Sequence, residues 1–305
     1  MKPTLLLAVP LGKTFEQKFT DRYNLTSDLK QREGVDALIT IGAIPADGAF
    51  MDTFPGLKLI CCFGSGYESI DVAAATARGI KVTNTVGANA STVADMAVAL
   101  LLASVRHVVE GDDLIRAGKW RGGNVARLLF SPSLTGRRIG ILGLGAIGRK
   151  IAERLAAFET EIGYFNRSKK ADAPWRHFGS LIELAEWADI LMVAHRADET
   201  NRHMVNAEVM KALGPEGQIV NISRGSAIDE DALIAALKSG AIAGAGLDVF
   251  EDEPNVRPEL IALPNVVLTP HIGGGTREAF AAMSDAVLAN VDAFFAGKPL
   301  PNPVA

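Results

Sequence analysis

The chain has 305 residues, 48% hydrophobic and 22% charged, with a formal net charge of −4, a composition that excludes disordered and collagen-like classes. The acidic balance leaves no basic surface for nucleic acid, and the longest uncharged apolar run, Met96 to Val105, is too short to span a bilayer. Cys61 and Cys62 are the only cysteines and are adjacent, which excludes a disulfide framework and a CxxC metal site; no metal is expected. With no signal-peptide pattern after Met1, a cytoplasmic setting is expected.

At about 150 residues per domain the length predicts two domains. Nearly continuous apolar runs predict strands over Thr4–Val9, Asp36–Ile41, Leu57–Cys61 and Ile80–Thr83, as in a parallel sheet buried on both faces. Ser69–Ala77 reads as a helix between them, with Gly79 as its C-cap. Ser91 to Val109 reads as one long helix, too apolar for a surface position and so buried between layers. Gly118 to Gly136, with Gly122, Gly123 and Pro132, reads as a loop.

A second run of strands follows, over Arg138–Leu142, Glu161–Phe165, Asp189–Ala194, Gln218–Ile222, Ala243–Leu247 and Asn265–Leu268. Helices are expected over Ala146–Ala157 and Asp229–Lys238, the second with Asp229 as N-cap and Glu230 and Asp231 in its first turn. Six parallel strands with crossover helices match the doubly wound dinucleotide fold. The last helix, Arg277 to Ala296, is long enough to return to the first domain and make it discontinuous.

Gly143-Leu144-Gly145-Ala146-Ile147-Gly148 fits G-x-G-x-x-G. The pattern is weak alone and gains specificity here because it follows a strand and opens a helix. Gly143 permits a tight turn, Gly145 lets the backbone approach a pyrophosphate, and Gly148 lets helix and strand pack closely. The amides of Ala146 and Ile147 are placed to bind the anion. At the end of the next strand, where an acid reads the ribose of NAD, stands Asn166, followed by Arg167, Ser168, Lys169 and Lys170. A carboxylate would repel a 2′-phosphate, whereas a guanidinium binds it. The segment therefore reads as NADP-specific, with NADPH preferred over NADH.

Three segments lie at or just past carboxyl ends of strands, where open α/β sheets bind ligands. They are Asn221-Ile222-Ser223-Arg224-Gly225, the stretch from Gly246 to Pro254, and Thr269-Pro270-His271-Ile272-Gly273-Gly274-Gly275. An Arg, a Glu and a His converging there suit hydride transfer to a 2-keto acid. Arg224 would hold the carboxylate and polarise the carbonyl; His271 would donate the proton; a glutamate beside the imidazole would favour its charged form and orient it. His107, His177, His195 and His203 lack such surroundings and read as ordinary polar residues.

These motifs resemble the D-isomer-specific 2-hydroxyacid dehydrogenases over essentially the whole chain. The resemblance assigns the substrate arginine to Arg224, the paired glutamate to Glu253 rather than Glu251, and the acid/base histidine to His271. Gly64-Ser65-Gly66-Tyr67 and Asp71 resemble the family's carboxylate-binding loop, which implies that the Ser65 and Gly66 amides face the substrate carboxylate. Val82-Thr83-Asn84-Thr85 and Val93-Ala94-Asp95 also match, and the residue near the nicotinamide maps to Thr92 or Val93. Further cofactor contacts are implied for Ile222, Ser223, Arg224, Asp248, His271, Gly273 and Gly274.

The implied fold is α/β, with two Rossmann-like doubly wound parallel-sheet domains. A flavodoxin-like, discontinuous substrate domain takes residues 1–98 plus 279–305, and an NAD(P)-binding domain takes residues 99–278. The resemblance also implies a homodimer formed largely through the cofactor domain and the helix beginning near Ser91. Within the family, the Asn166–Lys170 turn and the ending Gly297-Lys298-Pro299-Leu300 are similar to NADPH-dependent glyoxylate/hydroxypyruvate reductases. The chain departs at His195-Arg196-Ala197-Asp198, where a Pro-Leu-Thr stretch is common, and at Gly274, where many members carry Ser.

Three other readings stay open at this level. Formate dehydrogenase shares the fold but pairs its histidine with Gln, against Glu253. A dehydrogenase of the same family could act on a larger 2-keto acid. A dinucleotide-sensing binding protein could keep all three active-site residues.

Overall fold

The computed structural model describes residues 2–42, 44–121, 125, 128 and 130–304. Among these, the strands form a five-stranded and a seven-stranded sheet in which neighbouring strands run parallel. The chain divides into two compact units, Met1–Ala90 with Gly274–Ala305, and Ser91–Gly273. The expected division falls at 98/99 and 278/279. The difference at the first junction lies within the helix Ala90–Val105. Its Val93, Ala97, Leu100 and Leu101 are buried with Ile139, Ile141 and Val220 of the second unit.

The first unit contains β1 Thr4–Leu7, β2 Asn24–Thr26, β3 Ala37–Thr40, β4 Leu59–Cys62 and β5 Lys81–Thr83, in the order β2-β1-β3-β4-β5. That is the 2-1-3-4-5 order of the flavodoxin-like fold. Its inner strands are apolar throughout because both faces are covered. Leu5, Leu7, Ile39 and Leu59 point into one cluster with Phe15 and Phe19, and Leu6, Leu38 and Ile60 into another with Met51 and Phe54. The helix Arg277–Phe295 supplies Met283, Val287 and Val291 to the first cluster, so the last segment of the chain completes the first unit. Burial pushes the Cys61 thiol up to about 12, and Cys61 and Cys62 are both buried thiols outside any disulfide among the described residues.

The second unit contains β6 Arg138–Leu142, β7 Glu161–Phe165, β8 Arg176–His177, β9 Ile190–Val193, β10 Gln218–Asn221, β11 Gly244–Leu247 and β12 Val266–Leu268. Their order is β12-β11-β10-β9-β6-β7-β8. The chain leaves β6 toward one edge and returns at β9 to build toward the other. The order therefore reverses between β6 and β9, and a doubly wound sheet opens its ligand crevice at the carboxyl ends of such a pair.

Three expectations are corrected. The second sheet has seven strands rather than six, because β8 is two polar residues long, and β2 was likewise not expected. Both are edge strands with one neighbour each, so neither needs the apolar run that marks a strand buried on both faces. The single helix expected over Ser91 to Val109 ends at Val105, and a second runs over Val108–Arg116 after a 63° bend. His107 makes the break in a left-handed conformation, φ 51°. The helix expected from Ser69 begins instead at Val72, because the Asp71 carboxylate caps it through the Ala74 amide at 2.8 Å. The expected Gly118–Gly136 loop includes residues 122–124, 126–127 and 129, which lie outside the described residues.

The helix Val108–Arg116 buries none of its residues. Val108, Val109 and Ile115, with Trp120 and Phe130 beyond it, stand exposed. Among the described residues no single helix is long and apolar enough to cross a membrane.

Candidate active site

β6 ends at Leu142 and the glycine-rich turn follows at once. Gly143 takes φ 98°, and a Cβ on it would come within 2.4 Å of the His195 Cα. Only glycine meets both demands. At Gly148 a Cβ would lie 2.0 Å from the Gly143 carbonyl oxygen, so this glycine sets how closely helix Ala146–Ala156 packs on the turn. Gly145 is different. Its φ of −89° suits any residue, and a Cβ there would meet nothing within 4 Å. It is the N-cap of the helix, and no side chain caps the amides behind it. Open space in front of an uncapped helix N-terminus fits a phosphate.

A cavity of about 620 Å³ opens at the switch point, lined among others by Gly143, Gly145, Asn166, Arg167, His195 and Arg196. Asn166 Oδ1 accepts the Leu144 amide at 2.6 Å and so holds the glycine turn in shape. Arg167 is exposed on the cavity wall, while Ser168, Lys169 and Lys170 are exposed but outside the lining. His195, read from sequence as an ordinary polar residue, lies on this wall. Neither of its buried ring nitrogens makes a well-formed hydrogen bond among the described residues, and burial outweighs the nearby Asn201 side chain and the Asp198 charge in pushing its imidazole below the ordinary value. Its signal in the sequence was position, two residues past the end of the central strand β9, rather than residue type. Open turn, uncapped helix and exposed guanidinium together fit a dinucleotide.

The second part of the site lies past β10, β11 and β12. Asn221 shapes the loop after β10, its Nδ2 donating to the Arg224 carbonyl at 2.9 Å and its Oδ1 accepting the Ser223 amide at 3.0 Å. Ile222 and Ser223 are buried, and Arg224 is half-buried. Asp248, 2% exposed, accepts from Thr269 Oγ1 at 2.6 Å, the Ile272 amide at 2.9 Å and the Gly273 amide at 2.7 Å. These bonds brace the loop that carries His271, which takes φ 52°. His271 Nδ1 then lies 2.7 Å from Glu253 Oε2, while Glu253 Oε1 accepts the Phe250 amide at 3.0 Å.

Burial alone would raise the Glu253 carboxyl. The bonds from His271 and Phe250 and the charges of His271 and Arg224 overcome this and hold it below the ordinary range. Glu251, two residues away, is turned elsewhere, pairing with His203 at 2.8 Å and with Arg202. Thr92 lies half-buried in the first turn of helix Ala90–Val105.

In the first unit, the loop after β4 is held from several sides. Asn84 Nδ2 donates to the Ser65 carbonyl at 2.9 Å, Ser65 Oγ pairs with Asn89 at 3.2 Å, and the Gly64 amide donates to Thr85 Oγ1 at 2.9 Å. The Ser65 and Gly66 amides donate to no described residue. Two successive amides without acceptors, on a braced loop, suit a carboxylate. Gly274, also in this unit, packs beside Asn89, whose Nδ2 would lie 3.1 Å from an added Cβ.

Comparison with known proteins bears on this arrangement. The sequence profile of the D-isomer specific 2-hydroxyacid dehydrogenase NAD binding domain matches residues 98–273. Glyoxylate/hydroxypyruvate reductase A of Arabidopsis thaliana is 39% identical over 310 residues, with 98% of each chain covered. Hydroxyphenylpyruvate reductase of Plectranthus scutellarioides is 39% identical with the same coverage. Among solved structures, the NADPH-dependent glyoxylate/hydroxypyruvate reductase of Sinorhizobium meliloti, in complex with NADP and malonate, matches with a TM-score of 0.90 at 36% identity. That match covers 100% of this chain and 97% of the other.

The glycines separate folding from ligand binding. Gly145→Ala should leave the melting temperature unchanged and weaken dinucleotide binding by roughly tenfold or more, about 1.4 kcal/mol. Gly148→Ala should lower the melting temperature, because its Cβ collides with backbone. Calorimetry with fluorescence titration of the dinucleotide checks both; equal effects on melting would contradict the assignment.

Proposed function

Since the chain belongs to the D-isomer specific 2-hydroxyacid dehydrogenase family, we propose that it uses NADPH to reduce a small 2-keto acid, glyoxylate, hydroxypyruvate or a close analogue, to the D-2-hydroxy acid. The observation that carries this reading is the 2.7 Å pair of His271 Nδ1 and Glu253 Oε2, whose carboxylate also feels the charge of Arg224.

NADPH supplies the hydride when bound. Its pyrophosphate suits the amides of Ala146 and Ile147, and its 2′-phosphate suits Arg167, with Asn166 and Ser168 beside it. Thr92, Ile222, Ser223, Arg224, Asp248, His271, Gly273 and Gly274 complete the proposed cofactor contacts. In the second unit Arg224 is suited to take the substrate carboxylate and polarise the carbonyl oxygen; in the first unit the Ser65 and Gly66 amides are suited to a carboxylate.

As that oxygen gains negative charge it needs a proton. His271 Nδ1 is committed to Glu253, so Nε2 is the atom that donates it. The charge of Glu253 stabilises the imidazolium before transfer, and its hydrogen bond fixes the ring. In the reverse reaction His271 Nε2 accepts the proton of the hydroxyl group.

Cofactor preference is supported by the Arg167 guanidinium on the cavity wall and by the NADP complex of the S. meliloti relative. The two plant relatives, equally similar, are named for small and aromatic 2-keto acids. Rates of NADPH consumption with glyoxylate, hydroxypyruvate, pyruvate and phenylpyruvate test the substrate class, and no consumption with any of them sinks the reductase reading. Two buried thiols outside any disulfide among the described residues support a reducing, cytoplasmic setting. The exposed apolar side chains Val108, Val109, Ile115, Trp120 and Phe130 support a homodimer formed through the second unit.

Three outcomes are expected. A hydrogen bond to a charged group is worth about 1.5–3 kcal/mol, so Arg167→Ala should lose roughly 10- to 100-fold in selectivity for NADPH over NADH, with NADH kinetics nearly unchanged; a wild-type preference for NADH refutes the cofactor assignment. Glu253→Gln keeps an acceptor and removes the charge that favours the imidazolium. It should therefore move the basic limb of the reduction pH profile to lower pH, with less loss of rate than the roughly 10²–10⁴-fold expected of His271→Ala. Sedimentation at micromolar concentration should give a dimer; a monomer counts against the interface.

A further inference from the structure

Glu230 is a carboxylate only 6% exposed, in the first turn of the helix Glu230–Ser239. Burying a carboxylate is unfavourable unless hydrogen bonds replace its water. It does not cap its own helix, since Asp229 does that through the Ala232 amide at 3.1 Å. Glu230 Oε1 reaches another loop and accepts the Glu251 amide at 2.7 Å.

That amide lies two residues before Glu253, in an exposed turn held by a few specific contacts. A Cβ on Gly225, the residue after Arg224, would come within 1.9 Å of the Phe250 carbonyl carbon. The Phe250 amide donates to Glu253 Oε1 at 3.0 Å. The Glu251 carboxylate is taken by His203 at 2.8 Å and by Arg202. The charged groups around the turn include Arg202, His203, Arg224, Glu230, Glu251, Asp252 and Arg257, and of these Glu230 is the one buried below a tenth exposure.

We propose that Glu230 is a positioning residue for the acid/base pair. By holding the Glu251 amide it sets where the Glu253 carboxylate stands, and so how the His271 ring is turned toward substrate. This rests on the reading of Glu253 and His271 as the acid/base pair and adds to it a residue that acts only through Glu253. The requirement is reach. Any first-turn acid suits the helix dipole, but one the length of glutamate is needed to meet the neighbouring loop.

Three variants separate reach from charge. Glu230→Gln keeps an acceptor oxygen at the same distance, Glu230→Asp keeps the charge but withdraws the acceptor by one methylene, and Glu230→Ala removes both. Since about 1 Å of misplacement can lose about 10²-fold in rate, Glu230→Asp and Glu230→Ala should lose roughly ten- to a hundredfold in kcat, and Glu230→Gln less than about threefold. KM and the NADPH dissociation constant, read by fluorescence, should stay within about twofold. The basic limb of the reduction profile in Glu230→Asp should move toward that of Glu253→Gln.

In a Glu253→Ala background, Glu230→Asp should lose nothing further, because the residue it acts through is gone. Equal behaviour of the Asp and Gln variants, an unmoved pH profile in Glu230→Asp, or the same loss in both backgrounds overturns the proposal. If Glu230→Ala does not fold, the Asp and Gln comparison decides alone. Failure of the underlying reading looks different: Glu253→Gln and His271→Ala would then keep the wild-type pH profile whatever stands at position 230.

Discussion

The buried carboxylate of Asp248 is the constraint on which the acid/base geometry depends. A carboxylate at 2% exposure is tolerable only when hydrogen bonds replace its water. Asp248 obtains them from Thr269 Oγ1 and the amides of Ile272 and Gly273. Those donors bracket His271, whose left-handed backbone, φ 52°, carries a strain of about 1–3 kcal/mol that only surrounding bonds can hold. The aspartate thus satisfies itself by clamping the loop that carries the histidine, and the clamped histidine meets Glu253 at 2.7 Å.

The cofactor side follows from topology in the same way. Between β6 and β9 the strand order reverses, so the chain segments leaving those two strands diverge and leave a crevice between them. Before they diverge, the turn after β6 passes close to the one after β9. The contact falls at Gly143 and His195, where no Cβ fits. Gly148 then lets the helix seat on the turn, and Gly145 leaves its N-terminus uncovered. Three glycines in one hexapeptide answer three different demands: a left-handed backbone, close packing, and empty space for an anion.

The first unit prepares its loop by a chain of asparagines. Asn290, fully buried, accepts the Asn302 amide at 3.0 Å and reaches the Asn84 carbonyl at 3.4 Å. Asn84 in turn holds the Ser65 carbonyl. The final residues of the chain thereby help support a loop more than two hundred positions earlier, which is a physical reason for the first unit to include the chain's last segment. Among the described residues no acceptor for the Ser65 and Gly66 amides comes from these supports.

What the sequence by itself determined was whatever depends on residue type at fixed local spacing. Strands buried on both faces must be apolar, so β6 and β7 could be bounded to the residue. Aspartates at helix starts showed Asp229 as a cap, and the spacing of Gly143, Gly145 and Gly148 after a strand showed the turn. Edge strands β2 and β8 carry no such signature, because one neighbour and partial exposure allow polar residues. The apolar character of Val108 and Val109 hid the break at His107, since hydrophobicity reports burial or association without distinguishing them. In Glu251-Asp252-Glu253 three acids stand together, and composition cannot tell which one meets a histidine; the resemblance singled out Glu253. Only the tertiary structure showed how the others are used, by turning Glu251 to Arg202 and His203 and pinning its amide with Glu230. Those bonds join residues 21 to 49 positions apart, and nothing local in the chain encodes a distance of that kind.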